Sequence, residues 1–320
     1  MTQEEPLPLD IIAIGEALVE IMRPEREQPL DLPAPFVGPF PSGAPAIFAD
    51  AAARLGARTG FIGVVGDDDF GLCLRRRLTE DGLELACLRV SETHTTGCAF
   101  VAYFDDGSRR FLFHLRHAAA GTLSPEDVPS EYFRGSRFLH VMGSALALSD
   151  ASREACYRAV RLAKAAGARV SLDPNLRPEL LGLDKVRAVC APVLEVADVV
   201  LPSGAEARML TGADDDEAAA RDLARPGRTV ALKRGEKGSV VFQAGERFEA
   251  AAFPVVEVDP TGAGDCYDAA FLVGMLRGWD LSQVARFANA AGALAVTRLG
   301  PMEGAPRLDE ALALAGIASQ

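Results

Sequence analysis

The chain has 320 residues, 49% hydrophobic and 24% charged, enough apolar material for one large α/β core or two small ones. Lysine plus arginine total 33 against 45 for aspartate plus glutamate, so the formal net charge is −12. That balance argues against nucleic acid and anionic membrane as partners, because both need a basic face, while a nucleotide ligand needs only local donors.

The six cysteines (Cys73, Cys87, Cys98, Cys156, Cys190 and Cys266) are scattered without a C-x-x-C pair, a pattern that suits reduced thiols in a cytoplasmic protein. The acidic start MTQEEPLPLD has neither an apolar h-region nor a basic n-region, and no apolar run reaches membrane-spanning length. A cytoplasmic location without a membrane partner is the expectation.

Residues 11–15, IIAIG, form a short apolar run consistent with a buried parallel strand. A dinucleotide site would need G-x-G-x-x-G directly after it; the chain continues G-E-A-L-V-E, which leaves an oxidoreductase without its fingerprint. The proline-rich segment that follows predicts a two-stranded excursion from the main sheet. Residues 42–56 predict a helix, with Ile47, Ala51 and Leu55 at helical spacing and Gly56 as its C-terminal cap. TGFIGVVG then predicts a buried strand, and Asp67, Asp68 and Asp69 an acidic turn that favours the next helix N-terminus. From Cys98 to Phe113, two β-rich runs joined by D-D-G-S read as a hairpin. His114 and His117 follow without a carboxylate or cysteine partner that would indicate a metal.

RFLHVMG, residues 137–143, reads as another central strand, and Ser149 as the N-cap of an amphipathic helix over 150–166. A strand then ends at Asp173, with Pro174 and Asn175 turning after it. Polar groups at the carboxyl end of a parallel strand lie where open α/β sheets bind ligands, although an Asx-turn also explains Asp173 and Asn175. Arg177 offers a planar fork suited to carboxylate or phosphate. In S-G-A-E, Ser203 and Glu206 have capping-box spacing at the start of a helix. RTVALKRGEKGSVVF is strand, glycine turn, strand, and the alanine-rich helix near the C-terminus carries Asn289 in its middle at a small propensity cost. Strand–helix alternation from residue 137 onward implies one doubly wound α/β domain over 1–320, with the β-rich excursions at about 16–41 and 96–116 as its lid.

The remaining stretch, FPVVEVDPTGAGDCYDAAFLVGML, opens as a β-like run ending near Val258, turns through Pro260 and continues as a helix. Gly262 and Gly264 fall at the helix start, where unpaired N–H groups and the positive end of the macrodipole favour a phosphate. With Asp265 in the first turn, the pattern points to phosphoryl transfer: Asp265 as general base, and the amides of Gly262, Ala263 and Gly264 stabilising the group in transit. The bland alternative is a glycine turn with an acidic helix start, worth ~1 kcal/mol. No Walker loop is present.

The fuller string D-P-T-G-A-G-D-x-x-x-A-A-F-L resembles the C-terminal signature of the PfkB (ribokinase-like) carbohydrate kinases, and the resemblance extends over nearly the whole chain. It implies a mostly parallel central sheet flanked by helices with a small β-sheet lid, ATP and Mg²⁺ as cofactors with K⁺ as a further cation, and a sugar as substrate. It places the catalytic base at Asp265 and an acidic residue for sugar hydroxyls at Glu20. The family's early G-G-x-x-x-N-x-A retains its second glycine as Gly43, a substrate-side position, but has Ser42 for the first and Ile47 for the sugar-reaching asparagine. L-R-H-A-A-A-G-T-L-S-P-E-D and D-P-N-L-R resemble segments of 2-keto-3-deoxygluconate kinases and fructokinases, which implies Arg116, Asn175 and Arg177 as substrate contacts. The family's N-x-x-E is S-G-A-E here, retaining Glu206 as an indirect Mg²⁺ holder. Lys233, Gly235 and Gly238 correspond to the ATP site, to which the propensity cost of Asn289 in mid-helix adds a candidate nucleotide contact, and Asp259 and Thr261 correspond to a monovalent-cation position. The implied reaction moves the γ-phosphate to a primary hydroxyl, with 2-keto-3-deoxygluconate favoured over fructose or tagatose, and with a homodimer through the exposed lid. A sensor that binds sugar or nucleotide without turnover is the alternative from another class, kept open by Ser42, Ile47 and Ser203.

Overall fold

A computed structural model describes residues 7–176 and 181–318. Its larger sheet has nine strands, which in chain order are β1 (Ile11–Ile14), β4 (Thr59–Gly66), β5 (Leu88–Ser91), β8 (Phe138–Met142), β9 (Arg169–Asp173), β10 (Val199–Val200), β11 (Thr229–Lys233), β12 (Ser239–Gln243) and β13 (Glu246–Ala250). Their spatial order is β13-β12-β11-β10-β9-β8-β1-β4-β5. Every pairing from β5 across to β11 is parallel, and β12 and β13 add antiparallel at one end. Between them lie β2 (Leu18–Met22), β3 (Val37–Ser42), β6 (Gly97–Tyr103) and β7 (Arg109–His114), which form a separate four-stranded sheet in the order β3-β2-β6-β7.

The apolar run of β1 is continuous because both of its faces are covered. Ile11 and Ala13 join the core on one side of the sheet, with α1 (Ala44–Arg54), α2 (Asp69–Glu80), α8 (Ala263–Leu276), α9 (Leu281–Ala295) and α10 (Leu308–Ala315). Ile12 and Ile14 join the core on the other side, with α3 (Gly143–Leu148), α4 (Asp150–Ala165), α5 (Leu183–Val196), α6 (Gly204–Thr211) and α7 (Asp216–Leu223). Expected caps form: Asp68 Oδ1 accepts from Gly71 N at 2.8 Å and Ser149 Oγ from Ser152 N at 3.0 Å. Helix α8 is buried continuously from Asp265 to Gly274, as its all-round apolar sequence requires.

One expectation fails. FPVVEV is not a strand: residues 251–258 carry no regular structure, with Val255, Val256 and Val258 exposed by 38%, 82% and 49%. Pro254 cannot donate to a ladder, and the sheet already ends at β13, whose charged ERFEA sequence suits an edge. The six cysteines are thiols, and among the described residues no helix is long and apolar enough to cross a membrane.

His140, midway along β8, is fully buried; its ring stacks on Phe48 at 3.7 Å between centroids, and Nδ1 lies 3.1 Å from Ser171 Oγ. Burial pushes its pKa down to about 3, against the opposing pull of nearby Asp173. A His with a depressed folded-state pKa contributes fully above the unfolded value, about 6.5, and costs stability as pH falls below it, by about 1.4 kcal/mol per unit. Denaturant titrations at pH 7 and pH 5 should therefore show about 2 kcal/mol lost to this residue, and His140→Gln should lose that component. Parallel pH profiles for the two proteins would refute it.

Candidate active site

The order of the strands reverses at β1 and β8, so the crevice at their carboxyl ends is where an open α/β sheet takes its ligand. Gly15 ends β1 at φ 150°, and a Cβ there would come within 2.6 Å of Pro45 Cγ and 2.9 Å of Ala145 Cβ. The starts of α1 and α3 thus close directly on that strand end. Helix α8 begins beside them, packed against α1.

Gly262 is the N-cap of α8 at φ 84°, and a Cβ on it would lie 2.3 Å from Pro301 O and 3.3 Å from Ile47 Cγ2. The first helical bond runs from Cys266 N to Gly262 O at 2.9 Å, which leaves the preceding amides without intrahelical acceptors. Asp265 stands in that turn, 8% exposed. The loop ahead of the helix is held by fully buried Asp259: Oδ1 accepts from Tyr103 Oη at 2.8 Å and Thr261 N at 2.9 Å, and Oδ2 from Gly300 N at 3.0 Å. Thr261 Oγ1 lies 3.2 Å from Tyr103 Oη and 3.4 Å from Arg109 Nη1, so strands β6 and β7 of the smaller sheet reach the same loop.

A cavity of about 610 Å³ opens on one side of this turn. Its walls are Ala263, Gly264 and Tyr267 of α8, Lys233, Gly235 and Gly238 at the β11–β12 turn, Phe253, Pro254 and Val255, and Asn289 and Gly292 of α9. The exposed valines of the failed strand are thus partly explained: Val255 is a cavity wall. The volume and mostly apolar lining suit a small planar ligand, with amide donors at one end. The cavity brings together Lys233, Gly235, Gly238 and Asn289, the four residues assigned from sequence to a nucleotide. Two of their side chains are otherwise engaged. Asn289 Nδ2 donates to Ala250 O at 2.9 Å and Ala251 O at 3.1 Å, bracing the wall. Lys233 Nζ lies 3.1 Å from Asp173 Oδ2 and 3.0 Å from both oxygens of Asp268.

Of the substrate-side candidates, Glu20 and Gly43 stand at the junction of β2 and α1. Glu20, 5% exposed on β2, accepts from Ser42 Oγ at 2.6 Å. Gly43 caps α1 at φ 103°, where a Cβ would meet Glu16 O at 2.6 Å, and Ile47 is buried against Gly262. Asn175 sits at φ 34° after β9, its N donating to Asp173 Oδ1 at 3.0 Å in an Asx turn; its Oδ1 has no hydrogen-bond partner among the described residues. Arg116 is exposed just beyond β7, after Leu115, which packs against Leu18 and Ala99. Arg177 lies outside the described residues.

Glu206 completes a capping box, Oε2 accepting from Ser203 N and Oγ at 2.8 Å each, while Oε1 accepts from Leu176 N at 2.9 Å. Among the described residues no cluster of three or more His, Cys, Asp or Glu could hold a metal. Mg²⁺ brought in on phosphates keeps several waters and needs only one or two carboxylates, so the fit rests on Glu206 rather than on a cage. Sequence reasoning missed Tyr103, for which it holds no signal, and Asp268, whose signal was its place one turn after Asp265.

Helix amides facing a nucleotide-sized cavity, with a carboxylate on the same turn, are the parts of a small-molecule phosphotransferase. Residues 9–308 match the model of the pfkB family carbohydrate kinases, and the chain belongs to that family of sugar kinases. Among curated relatives it is 32% identical to a 5-dehydro-2-deoxygluconokinase of Shouchella clausii, covering 97% of each chain, and 34% identical to an Escherichia coli fructokinase, covering 92% of this chain and 95% of that one. An E. coli protein provisionally called Ribokinase II, crystallised with ATP and Mg²⁺, superposes with a TM-score of 0.90 at 41% identity, covering 96% and 98% of the two chains. The central sheet, its flanking helices and the separate small sheet are therefore the ribokinase-like architecture.

Proposed function

We propose that the protein transfers the γ-phosphate of ATP to the terminal primary hydroxyl of a six-carbon keto-deoxy sugar acid, with 2-keto-3-deoxygluconate the leading substrate. The observation that carries the catalytic part is the first turn of α8, where Gly264 lines the cavity and Asp265 follows it on the neighbouring face. ATP occupies the cavity with its phosphates toward the amides of Gly262, Ala263 and Gly264. Asp265 takes the proton of the attacking hydroxyl as its oxygen bonds to the γ-phosphorus and the bond to the β-phosphate oxygen breaks, releasing ADP. Mg²⁺ supplies charge neutralisation on the phosphates when bound, and Glu206 is the residue that would hold it, through water. A cation at Asp259 and Thr261 would compete with Tyr103 Oη and the Thr261 and Gly300 amides for Asp259, so no step is routed through K⁺. The smaller sheet, joined to the α8 loop through Tyr103, acts as the lid that excludes water. Its edges at β3 and β7 are open, and it offers Leu112 at 49% exposure as a surface for a homodimer, to be checked by a light-scattering mass of twice 33.8 kDa.

Support for a carboxylated substrate comes from exposed Arg116, from Arg177 in D-P-N-L-R, and from relatives named for a dehydro-deoxygluconate. A neutral ketohexose is the second reading, favoured by the fructokinases among the relatives. ADP release measured with 2-keto-3-deoxygluconate, 5-dehydro-2-deoxygluconate, fructose, tagatose and ribose separates them. The acids should lead, and Arg116→Ala should raise KM for the preferred acid about 10-fold, the scale of one lost charged hydrogen bond, without changing KM for fructose. Preference for fructose would select the ketohexose, and no release with any sugar would leave a sensor.

A further inference from the structure

One buried ion cluster touches the site from below and has no part in the reaction as described. Lys233 is the last residue of β11, Asp173 the last of β9, and Asp268 lies one helical turn beyond Asp265 on α8. The Lys233 ammonium sits between the two carboxylates at 3.0–3.1 Å, with side-chain exposures of 14% for Lys233, 4% for Asp173 and 0% for Asp268. A single charge thus ties the ends of β9 and β11, which flank β10 in the sheet, to the helix that carries the amides. It also lies against that helix turn: a Cβ on Gly264 would be 3.6 Å from Lys233 Nζ. The tie reaches the substrate side as well, because Asp173 Oδ1 accepts from Asn175 N and Pro174 O presses on Gly143, where a Cβ would come within 1.7 Å of it.

Resting on the kinase reading above, we propose that Lys233, clamped by Asp173 and Asp268, is a positioning residue for phosphoryl transfer: it fixes the first turn of α8 relative to the strand ends, so that the 262–264 amides and Asp265 meet the phosphate in one geometry. This replaces the direct ATP contact expected of Lys233 from the sequence. An ammonium already held by two carboxylates at hydrogen-bond distance is a poor point charge for a mobile phosphate, but a rigid one for a helix. Burial raises the pKa of Asp268 although Lys233 draws it down, whereas Asp173, also buried, is lowered by the attraction of Lys233. Glu206 of α6 also acts on Lys233, and His140 of β8 and Lys233 both act on Asp173.

Replacing a buried ion cluster with neutral groups of similar volume is often neutral for stability, which lets positioning be told from mere support. The decisive variant is the neutral triple Asp173→Asn/Lys233→Met/Asp268→Asn, assayed with MgATP and whichever sugar the wild type turns over. The expected result is a folded protein melting near the wild type, KM for ATP and sugar little changed, and kcat lower by about 10²-fold, the effect of a small misplacement of reacting groups. A folded triple variant with wild-type kcat overturns the proposal. Should it fail to fold, Asp268→Asn alone decides, since it keeps the Lys233–Asp173 pair: kcat lower by about 10-fold supports positioning, and unchanged kcat overturns it. Failure of the underlying kinase reading would look different, because the wild type itself would then release no ADP with any sugar.

Discussion

Asp265→Asn should lower kcat by about 10²- to 10⁴-fold while KM for ATP changes little, because the substitution removes proton acceptance and leaves the amides and the cavity in place. Asparagine preserves the size of the side chain and is accepted near a helix start, and the substitution gives up a carboxylate–macrodipole interaction of about 0.3–1 kcal/mol. Steady-state kinetics beside a melting curve separate the two effects. Burial does not conflict with the role: Asp265 is 8% exposed beside Gly264, which lines the cavity, and a buried base is shielded from bulk water. Near-normal turnover by a folded Asp265→Asn protein would move the base elsewhere and take the proposed chemistry with it.

How much could be read without coordinates differs by element. The glycine-led helix was legible because three signals coincide in a few residues: two glycines at its start, an acidic first turn and an apolar run after it. Most strands of the main sheet were legible for a similar reason, since parallel strands covered on both faces read as apolar runs. FPVVEV shows the limit of that signal. Phe253, Pro254 and Val255 of that segment line a cavity, and composition alone cannot separate a ligand wall from a core strand. Lys233 and Asn289 illustrate a second limit. Sequence assigned both to a nucleotide, and both line the cavity beside α8, but their polar atoms turn to Asp173, Asp268, Ala250 and Ala251, partners up to 60 residues away that no local pattern reveals. Glu206 shows the converse: capping-box spacing foretold its bonds to Ser203, but not the one to Leu176 in the segment after β9.

Two glycines of the same turn should respond to alanine in opposite ways. At Gly262 the backbone is left-handed, φ 84°, and the added Cβ would stand 2.3 Å from the carbonyl oxygen of Pro301, an atom that cannot swing aside. Left-handed strain of about 1–2 kcal/mol adds to the displacement of the 300–301 loop or of the helix start, so Gly262→Ala should cost roughly 2–4 kcal/mol and lower the melting temperature by several degrees. Because the shifted element bears the anion-binding amides, kcat should also fall by about 10²-fold, the scale of one lost oxyanion donor. At Gly264 the backbone is ordinary helix, and beyond that helix the nearest heavy atom to the new Cβ among the described residues is Lys233 Nζ at 3.6 Å, an ordinary contact. Gly264→Ala should therefore fold as well as the wild type or slightly better, since alanine exceeds glycine in helix propensity by about 1 kcal/mol. Its methyl group would enter the cavity where the phosphates must approach the amides, and KM for ATP should rise by about 10-fold or more, the scale of a lost charged hydrogen bond. An unstable Gly264→Ala, or one that binds ATP as the wild type does, would mean that the phosphates do not approach this turn.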